Sequence, residues 1–232
     1  MLLAVLVPLL GYLIVDHYGK NVVPIPGYYI PERIDTISEN GSVTYDTVFH
    51  KIRDFQLTNQ LGRQVSLKDV EGKVLLVDFF FTSCPSICPT LTKNLKKIQS
   101  AYVKNDAGRL ILVVAVDPER DTVDKLRKYA YDYGVNPDNW WLLTGSKKEI
   151  YDLARNDFFV SVTQGDGGPD DFIHTEKLVL IDKNGNIRGY YNGLDSNAIK
   201  RCAGDIATLH LAKERHRPTF GAFLKKLFSG EK

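Results

Sequence analysis

The chain has 232 residues, a length that suits one substantial domain with a short appendage. Its 30 Lys and Arg against 28 Asp and Glu leave a net charge of +2, which gives no reason to expect a nucleic-acid partner. With 44% apolar residues and 3 cysteines, the composition excludes a disordered chain and a disulfide-rich miniature scaffold.

The N-terminus carries an apolar run over residues 2–15 that contains no charged side chain. A membrane-spanning helix needs about 20 apolar residues, and Tyr12 and Tyr18 can extend the run into the membrane interface. The run is apolar on every face and shows neither a basic start nor a small-residue cleavage site. We therefore predict a membrane anchor over residues 1–18, with a signal peptide and a buried helix as alternatives.

The segments on either side of the domain also have a distinct composition. Three prolines between Val23 and Pro31 predict a semi-rigid linker over residues 19–46. We expect the folded domain to occupy residues 47–217. After it, apolar residues at helical spacing and two lysines on the other side predict a basic amphipathic tail over residues 218–232. Such a tail can lie on a membrane surface or pack on the domain.

Strand and helix signals alternate within the domain. The turn sequence at residues 59–62 predicts a hairpin, and the apolar run at 73–81 predicts a strand buried on both faces. There follow a helix at 91–102, a strand at 110–116, a helix at 123–130, a strand at 140–143, a short helix at 147–154, strands at 178–181 and 187–191, and a helix at 197–215. Asn184-Gly185 predicts a type I′ turn between the last two strands. This order predicts an α/β fold, a central mixed sheet with flanking helices on both faces.

Two cysteines, Cys84 and Cys88, directly follow the buried strand and open the next helix. The N-terminus of a helix stabilises a thiolate, which is the form that binds soft metals and attacks disulfides. A thioredoxin-type redox motif has two residues between its cysteines, whereas this pair has three. The two sulfurs can converge on one metal ion or form a disulfide, and the spacing alone leaves both open. Cys202 stands alone in the closing helix.

A third metal ligand has to come from the 5 histidines. His174 ends a polar, glycine-rich stretch and directly precedes a strand, in a loop that we expect opposite the cysteines. The remaining histidines flank the anchor, lie at the domain edge or belong to the C-terminal helix: His17, His50, His210 and His216. We therefore select His174 as the candidate ligand.

Two aspartates are candidates for a supporting role. Asp117 ends the strand beside the cysteine strand, as part of a segment that also contains Asp121, and Asp78 lies six residues before Cys84. Asp117 can tune the metal site or dock a partner, or it can cap a helix or turn. Asp78 can tune the redox chemistry of the cysteines or be purely structural.

Three segments of the chain resemble the Sco/SenC family: FFTSCPSICP at residues 80–89, VDPERDT at 116–122, and FIHT at 172–175 with LIDKNG at 180–185. That family consists of membrane-anchored, thioredoxin-fold copper chaperones for assembly of the CuA centre of cytochrome c oxidase. The resemblance covers roughly residues 54–211. It implies a thioredoxin-like sheet behind an N-terminal anchor helix, with Cys84, Cys88 and His174 as copper ligands. The chain departs from the family at Ile173, where an acidic residue is frequent.

Copper agrees with the chemistry of these side chains, because thiolate suits Cu(I) and Cu(II) also accepts thiolate and imidazole. We expect a metallochaperone on the outer, periplasmic face of a bacterial cytoplasmic membrane. Its expected partners are the CuA-bearing oxidase subunit and other copper chaperones. The alternative is a thiol–disulfide oxidoreductase that keeps partner cysteines reduced. A peroxidase is disfavoured, because no separate resolving cysteine is evident.

Overall fold

The computed structural model describes residues 7, 25–39, 42–101, 108–160, 163–164, 172–173 and 175–212. None of the helices within these ranges is long and apolar enough to cross a membrane. The predicted anchor, apart from Val7, and the predicted tail lie outside the described residues.

Strands and helices alternate through the described part of the chain as the sequence predicts. The strands are β1 (Pro31–Glu39), β2 (Ser42–Phe49), β3 (Gln56–Asn59), β4 (Gln64–Ser66), β5 (Val74–Phe80), β6 (Arg109–Ala115), β7 (Trp140–Thr144), β8 (Thr163–Gln164), β9 (Phe172–Ile173), β10 (Lys177–Ile181) and β11 (Ile187–Asn192). The helices are α1 (Leu67–Val70), α2 (Cys88–Ala101), α3 (Val123–Asp132), α4 (Lys147–Asp152), which a π-helical turn over Leu153–Asp157 continues, and α5 (Ser196–Leu211).

Seven strands form the central sheet, in the order β11-β10-β5-β6-β7-β3-β4. Strands β5, β6 and β7 are parallel, and the strands on both sides of them pair antiparallel. Every residue of β5 is buried, as expected for a central strand covered on both faces. The prediction of a central mixed sheet is therefore confirmed.

Helical segments cover both faces of this sheet. The ring of Tyr129 on α3 packs edge-on against Phe80 at 5.2 Å, and its hydroxyl group lies 2.7 Å from the Thr92 hydroxyl group on α2. The ring of Phe158, after the π-helical turn, packs against Phe79 at 5.5 Å. Because Phe79 and Phe80 are neighbours in a strand, they point to opposite faces.

Part of the predicted linker is a β-hairpin rather than an extended spacer. Strands β1 and β2 pair antiparallel with each other and belong to no other sheet among the described residues. Ile, Val and Thr residues are frequent in both strands and favour them, and Asn40-Gly41 between the strands is a hairpin signal. The prolines that suggested a spacer lie before this hairpin or at its first residue.

The turn between β10 and β11 differs from the predicted type I′ turn. A type I′ turn needs a positive φ at both central residues, but in the described turn only Gly185 has one, at 83°. The Asp182 carboxylate accepts hydrogen bonds from the N–H groups of Asn184 and Asn186. The result is a three-residue loop with glycine in the left-handed position.

Candidate metal centre

The two cysteines lie where β5 ends and α2 begins. Cys84 occupies the turn, where its N–H donates to the Phe81 carbonyl at 3.2 Å, and Cys88 is the first residue of α2. Both are buried, and neither forms a disulfide. The Sγ atom of Cys84 lies 3.6 Å from the Ser86 hydroxyl oxygen. The structure therefore confirms the expected strand–turn–helix setting of the pair.

The two thiols differ in acidity. Burial opposes ionisation of Cys84, but hydrogen bonds from the N–H and thiol of Cys88 and from Ser86 outweigh it, so the pKa of Cys84 is lowered. Burial raises the pKa of Cys88 strongly, and its interactions with the Cys84 side chain raise it further. As a result, Cys84 ionises first and Cys88 keeps its proton.

Asp78 lies on β5 close to this pair and is 1% exposed. Burial raises the pKa of its carboxyl group to about 8, although the Phe79 N–H donates to it at 2.9 Å and opposes the shift. The charge of Cys84 also raises this pKa, which puts the carboxyl within electrostatic reach of the thiolate. At neutral pH Asp78 is therefore mostly uncharged.

The segment after β6 contacts the cysteine turn through Asp121. Its carboxylate accepts a hydrogen bond from the Thr82 N–H at 3.1 Å and another from the Thr82 hydroxyl group. Asp117 has a different place: its carbonyl accepts the Asp121 N–H at 2.8 Å, and its carboxylate lies 3.5 Å from Arg120 Nε. The sequence singled out this segment, but only the structure shows that Asp121 holds the turn.

His174 lies outside the described residues, although the strands on both sides of it are described. Strand β9 ends at Ile173 and pairs with β8. Strand β10 runs antiparallel to β5 with Val179 opposite Val77. Its first residue, Lys177, is therefore at the end of β5 that leads to Cys84.

The start of β10 is tied to the helix that carries Cys88. The Glu176 carbonyl accepts the Gly193 N–H at 2.7 Å, and the Gly193 carbonyl accepts a hydrogen bond from the Asn94 side chain on α2 at 2.8 Å. Gly193 packs so tightly that an added Cβ would lie 2.2 Å from Leu91 Cδ2. These contacts fix the segment that follows His174 relative to α2.

The remaining described candidates belong to other parts of the fold. His50 Nδ1 lies 2.7 Å from a Glu32 carboxylate oxygen, and the His210 carbonyl accepts from Lys183. Cys202 is fully buried on α5. Within the described ranges no three His, Cys, Asp or Glu side chains group closely enough to hold a metal ion. The cysteines thus offer two soft donors, which need at least one further ligand.

The SCO1/SenC family model matches residues 44–210. A SCO1/SenC family lipoprotein from Bacillus anthracis is similar in structure, with 30% identity, 69% of this chain and 95% of that chain covered, and a TM-score of 0.63. BsSco, described as a member of the Sco family of cytochrome c oxidase assembly proteins, has 32% identity, coverages of 71% and 95%, and a TM-score of 0.62. ScoI of Bradyrhizobium japonicum, solved with copper bound, has 27% identity, coverages of 68% and 98%, and a TM-score of 0.58.

These structures share the mixed α/β fold, which in this family is thioredoxin-like. The family model spans well over half of the chain and includes the cysteine pair, the segment that holds its turn and both strands beside His174. The chain belongs to the SCO1/SenC family.

Proposed function

We propose that this chain is a membrane-attached copper chaperone that binds copper through Cys84, Cys88 and His174. It delivers the ion to the CuA centre of cytochrome c oxidase. The observation that carries the proposal is the pair of buried thiols at the N-terminus of α2, which form no disulfide and one of which has a lowered pKa. A buried dithiol is a soft site, and soft ligands select Cu(I).

His174 is the ligand that completes this donor set. Support comes from Lys177, which begins β10 at the cysteine end of β5, and from the link between Glu176 and α2 through Gly193. Because Glu176 is fixed in this way, His174, two residues before it, can bring its imidazole to the thiols. Two sulfurs and one nitrogen leave room for a partner's ligand, which suits transfer of the cargo ion.

The neighbouring side chains determine how many charges the site carries when copper binds. Cys84 presents its thiolate first, whereas Cys88 has to lose a proton when the ion binds, so copper binding releases protons. Asp78 holds a proton on its carboxyl group below about pH 8, which avoids a second negative charge beside Cys84. Asp121 fixes the turn through Thr82, and Asp117 orders the segment behind it.

The related proteins support copper as the cargo, a partner in cytochrome c oxidase assembly and a location at the membrane. One related structure has copper bound, and another belongs to a protein of cytochrome c oxidase assembly. A third is a lipoprotein, which supports membrane association, and in this chain the apolar run at residues 2–15 would supply the attachment. We propose that the domain lies on the outer face of a bacterial cytoplasmic membrane. There it receives copper from other chaperones and meets the CuA-bearing subunit.

A thiol–disulfide oxidoreductase is the second candidate, and the unequal acidity of the two thiols favours it. The Cys84 thiolate would attack a partner disulfide, form a mixed disulfide and release one partner thiolate. Cys88, after losing its proton, would attack the Cys84 sulfur and release the second partner thiolate. Two electrons pass to the partner, and a Cys84–Cys88 disulfide remains.

Copper titration of the full chain in detergent, reduced and under anaerobic conditions, tests the proposal. The parent should bind one Cu(I) per chain in competition with a chromogenic chelator, and the oxidised chain almost none. His174→Ala should lose more than about 100-fold in copper affinity. Loss of a side chain that only hydrogen-bonds a metal ligand already costs up to about 100-fold, and loss of a ligand itself should cost more. His210→Ala and Cys202→Ser are matched controls and should keep both stoichiometry and affinity.

Parent-like copper affinity in His174→Ala would show that the ligand set is wrong. Strong copper binding by the oxidised chain would contradict the dithiol site itself. If the parent binds copper only weakly and reduces a disulfide substrate as fast as His174→Ala does, the oxidoreductase is the better assignment.

A further inference from the structure

A concave site lies at the opposite end of the sheet from the cysteines. It is a cavity of about 430 Å³ beside the start of β5, with Ile52, Val70 and Leu75 among its lining residues. These three apolar side chains are at most 4% exposed. The seven residues of β5 separate this end from the cysteine turn by about 20 Å, since a strand rises about 3.3 Å per residue. The cavity is therefore distinct from the candidate metal centre.

Four lysines line the same cavity, namely Lys51, Lys68, Lys73 and Lys183. We call this surface the lysine face. Lys73 Nζ donates to the Asp69 carbonyl at 2.6 Å. Lys183 Nζ donates to a backbone carbonyl of α5 at 2.8 Å. A carbonyl satisfies a hydrogen bond but carries no net charge, so both ammonium charges remain available to an anion.

Three carboxylates, Asp54, Glu71 and Asp182, line the same cavity. Asp182 forms an ion pair with Arg188 Nη1 at 2.8 Å, and both side chains are buried. Asp54 accepts hydrogen bonds from the N–H groups of Phe55 and Leu67. Arg188 neutralises Asp182, but neutral N–H partners leave the charge of Asp54 in place and Glu71 is exposed. The four lysines outnumber these two carboxylates, so the lysine face has a net positive charge beside apolar side chains, and this combination suits an amphipathic anion.

Exposed apolar and aromatic residues border the lysine face. Ile25, Tyr28 and Tyr29 are 54%, 48% and 45% exposed, and Leu211 at the end of α5 is 78% exposed. The segment with the tyrosines is held beside the cavity, because Arg188, the partner of Asp182, donates to the carbonyls that precede Tyr28. Tyrosine, aliphatic and lysine side chains together are typical of the membrane interface.

The chain enters the domain at this same place. Arg188 binds the Pro26 and Gly27 carbonyls, and 10 residues lie between Pro26 and Val15, the last residue of the apolar run. Even when fully extended, this stretch spans at most about 40 Å. An anchor over residues 1–18 would therefore keep the domain close to the bilayer, with the lysine face on the side where the chain enters.

We propose that the lysine face contacts the membrane and that its cavity binds the phosphate headgroup of an anionic phospholipid. This inference rests on the membrane attachment in the proposed function and is independent of copper chemistry. In this orientation the cysteines point away from the bilayer, towards the aqueous side where a partner can reach them.

Lysine acylation followed by mass spectrometry tests the orientation on the full chain. The chain is placed in vesicles of pure phosphatidylcholine or of phosphatidylglycerol. Lys51 and Lys68, the exposed members of the lysine face, should react more slowly in phosphatidylglycerol, and added salt should restore their reactivity because it screens the attraction. The exposed Lys93 on α2 and Lys128 on α3 are controls and should react equally in both lipids.

A pair of charge reversals supplies the matched comparison. Lys51→Glu/Lys68→Glu should reduce the preference for phosphatidylglycerol over phosphatidylcholine vesicles by more than about tenfold, since each lysine contributes about fivefold near an anionic surface. Lys93→Glu/Lys128→Glu changes the net charge equally and should leave the preference unchanged. Circular dichroism of both variants checks that the fold is intact.

Three other outcomes of these experiments would each refute part of the inference. If the chain attaches to both kinds of vesicle, and Lys51 and Lys68 each react equally fast in the two lipids, the lysine face is refuted but the anchor is not. Failure to attach to either vesicle refutes both membrane attachment and the lysine face. Protection of the same lysines by inorganic phosphate without lipid would identify a site for small anions and refute the lipid assignment.

Discussion

Replacing Asp78 by asparagine tests whether this carboxyl group is uncharged beside the thiols. Asp78 is 1% exposed, and burial raises its pKa to about 8 in the folded chain. In an unfolded chain the pKa of aspartate is about 3.9. Between these values the folded state binds more protons than the unfolded state. The stability that Asp78 contributes is therefore complete below the unfolded value and is lost as pH rises towards 8.

The size of this effect follows from the two pKa values. Each pH unit between them removes about 1.4 kcal/mol, so the loss across the interval is about 5 kcal/mol. Asparagine carries no charge and can still accept from the Phe79 N–H, but its buried amide group lacks a partner, which costs about 1–3 kcal/mol. At pH 8 we expect the asparagine variant to be about 2–4 kcal/mol more stable than the parent, whereas near pH 4 it should gain nothing.

Urea unfolding of the full chain in detergent, reduced and metal-free, measures this difference across the pH interval. The informative quantity is the change with pH in the free-energy difference between variant and parent. Asp138→Asn is the control, because it makes the same chemical change at an exposed position. A difference for Asp78→Asn that stays constant from pH 4 to pH 8 would refute a neutral buried carboxyl.

Two further substitutions test the packing around the site. Gly193→Ala places a Cβ 2.2 Å from Leu91 Cδ2, so we expect a loss of about 1–3 kcal/mol in urea unfolding, whereas Gly204→Ala, with open space around it, should not destabilise; equal stabilities would contradict the close contact. Arg188→Leu leaves the buried Asp182 carboxylate without its partner and should cost about 3–5 kcal/mol at neutral pH; a loss no larger than the roughly 0–1 kcal/mol typical of an exposed pair would argue against a buried ion pair.

Local signals in the sequence predicted the framework of this protein. The apolar run that becomes β5 and the position of Cys84 and Cys88 between a strand and a helix are properties of short segments. The order of the elements then predicted the mixed sheet. The local signals also contained the β1–β2 hairpin, in Asn40-Gly41 and the Ile, Val and Thr residues around it, although the nearby prolines outweighed them in our interpretation.

The sequence by itself determined which residues are candidates for the chemistry, because a Cys-x3-Cys pair after a buried strand is a local pattern. Only the tertiary structure decided how those residues behave. Burial would raise the pKa of Cys84, but hydrogen bonds from Cys88 and Ser86 lower it, whereas burial raises the pKa of Asp78 against the hydrogen bond from Phe79. Burial in turn depends on how the whole sheet is covered. Asp121 reaches Thr82 from 39 residues away, and the lysine face combines three separate stretches of chain. Such contacts form only when β5, β6 and β10 come together, so the pattern of apolar residues within a single segment does not predict them.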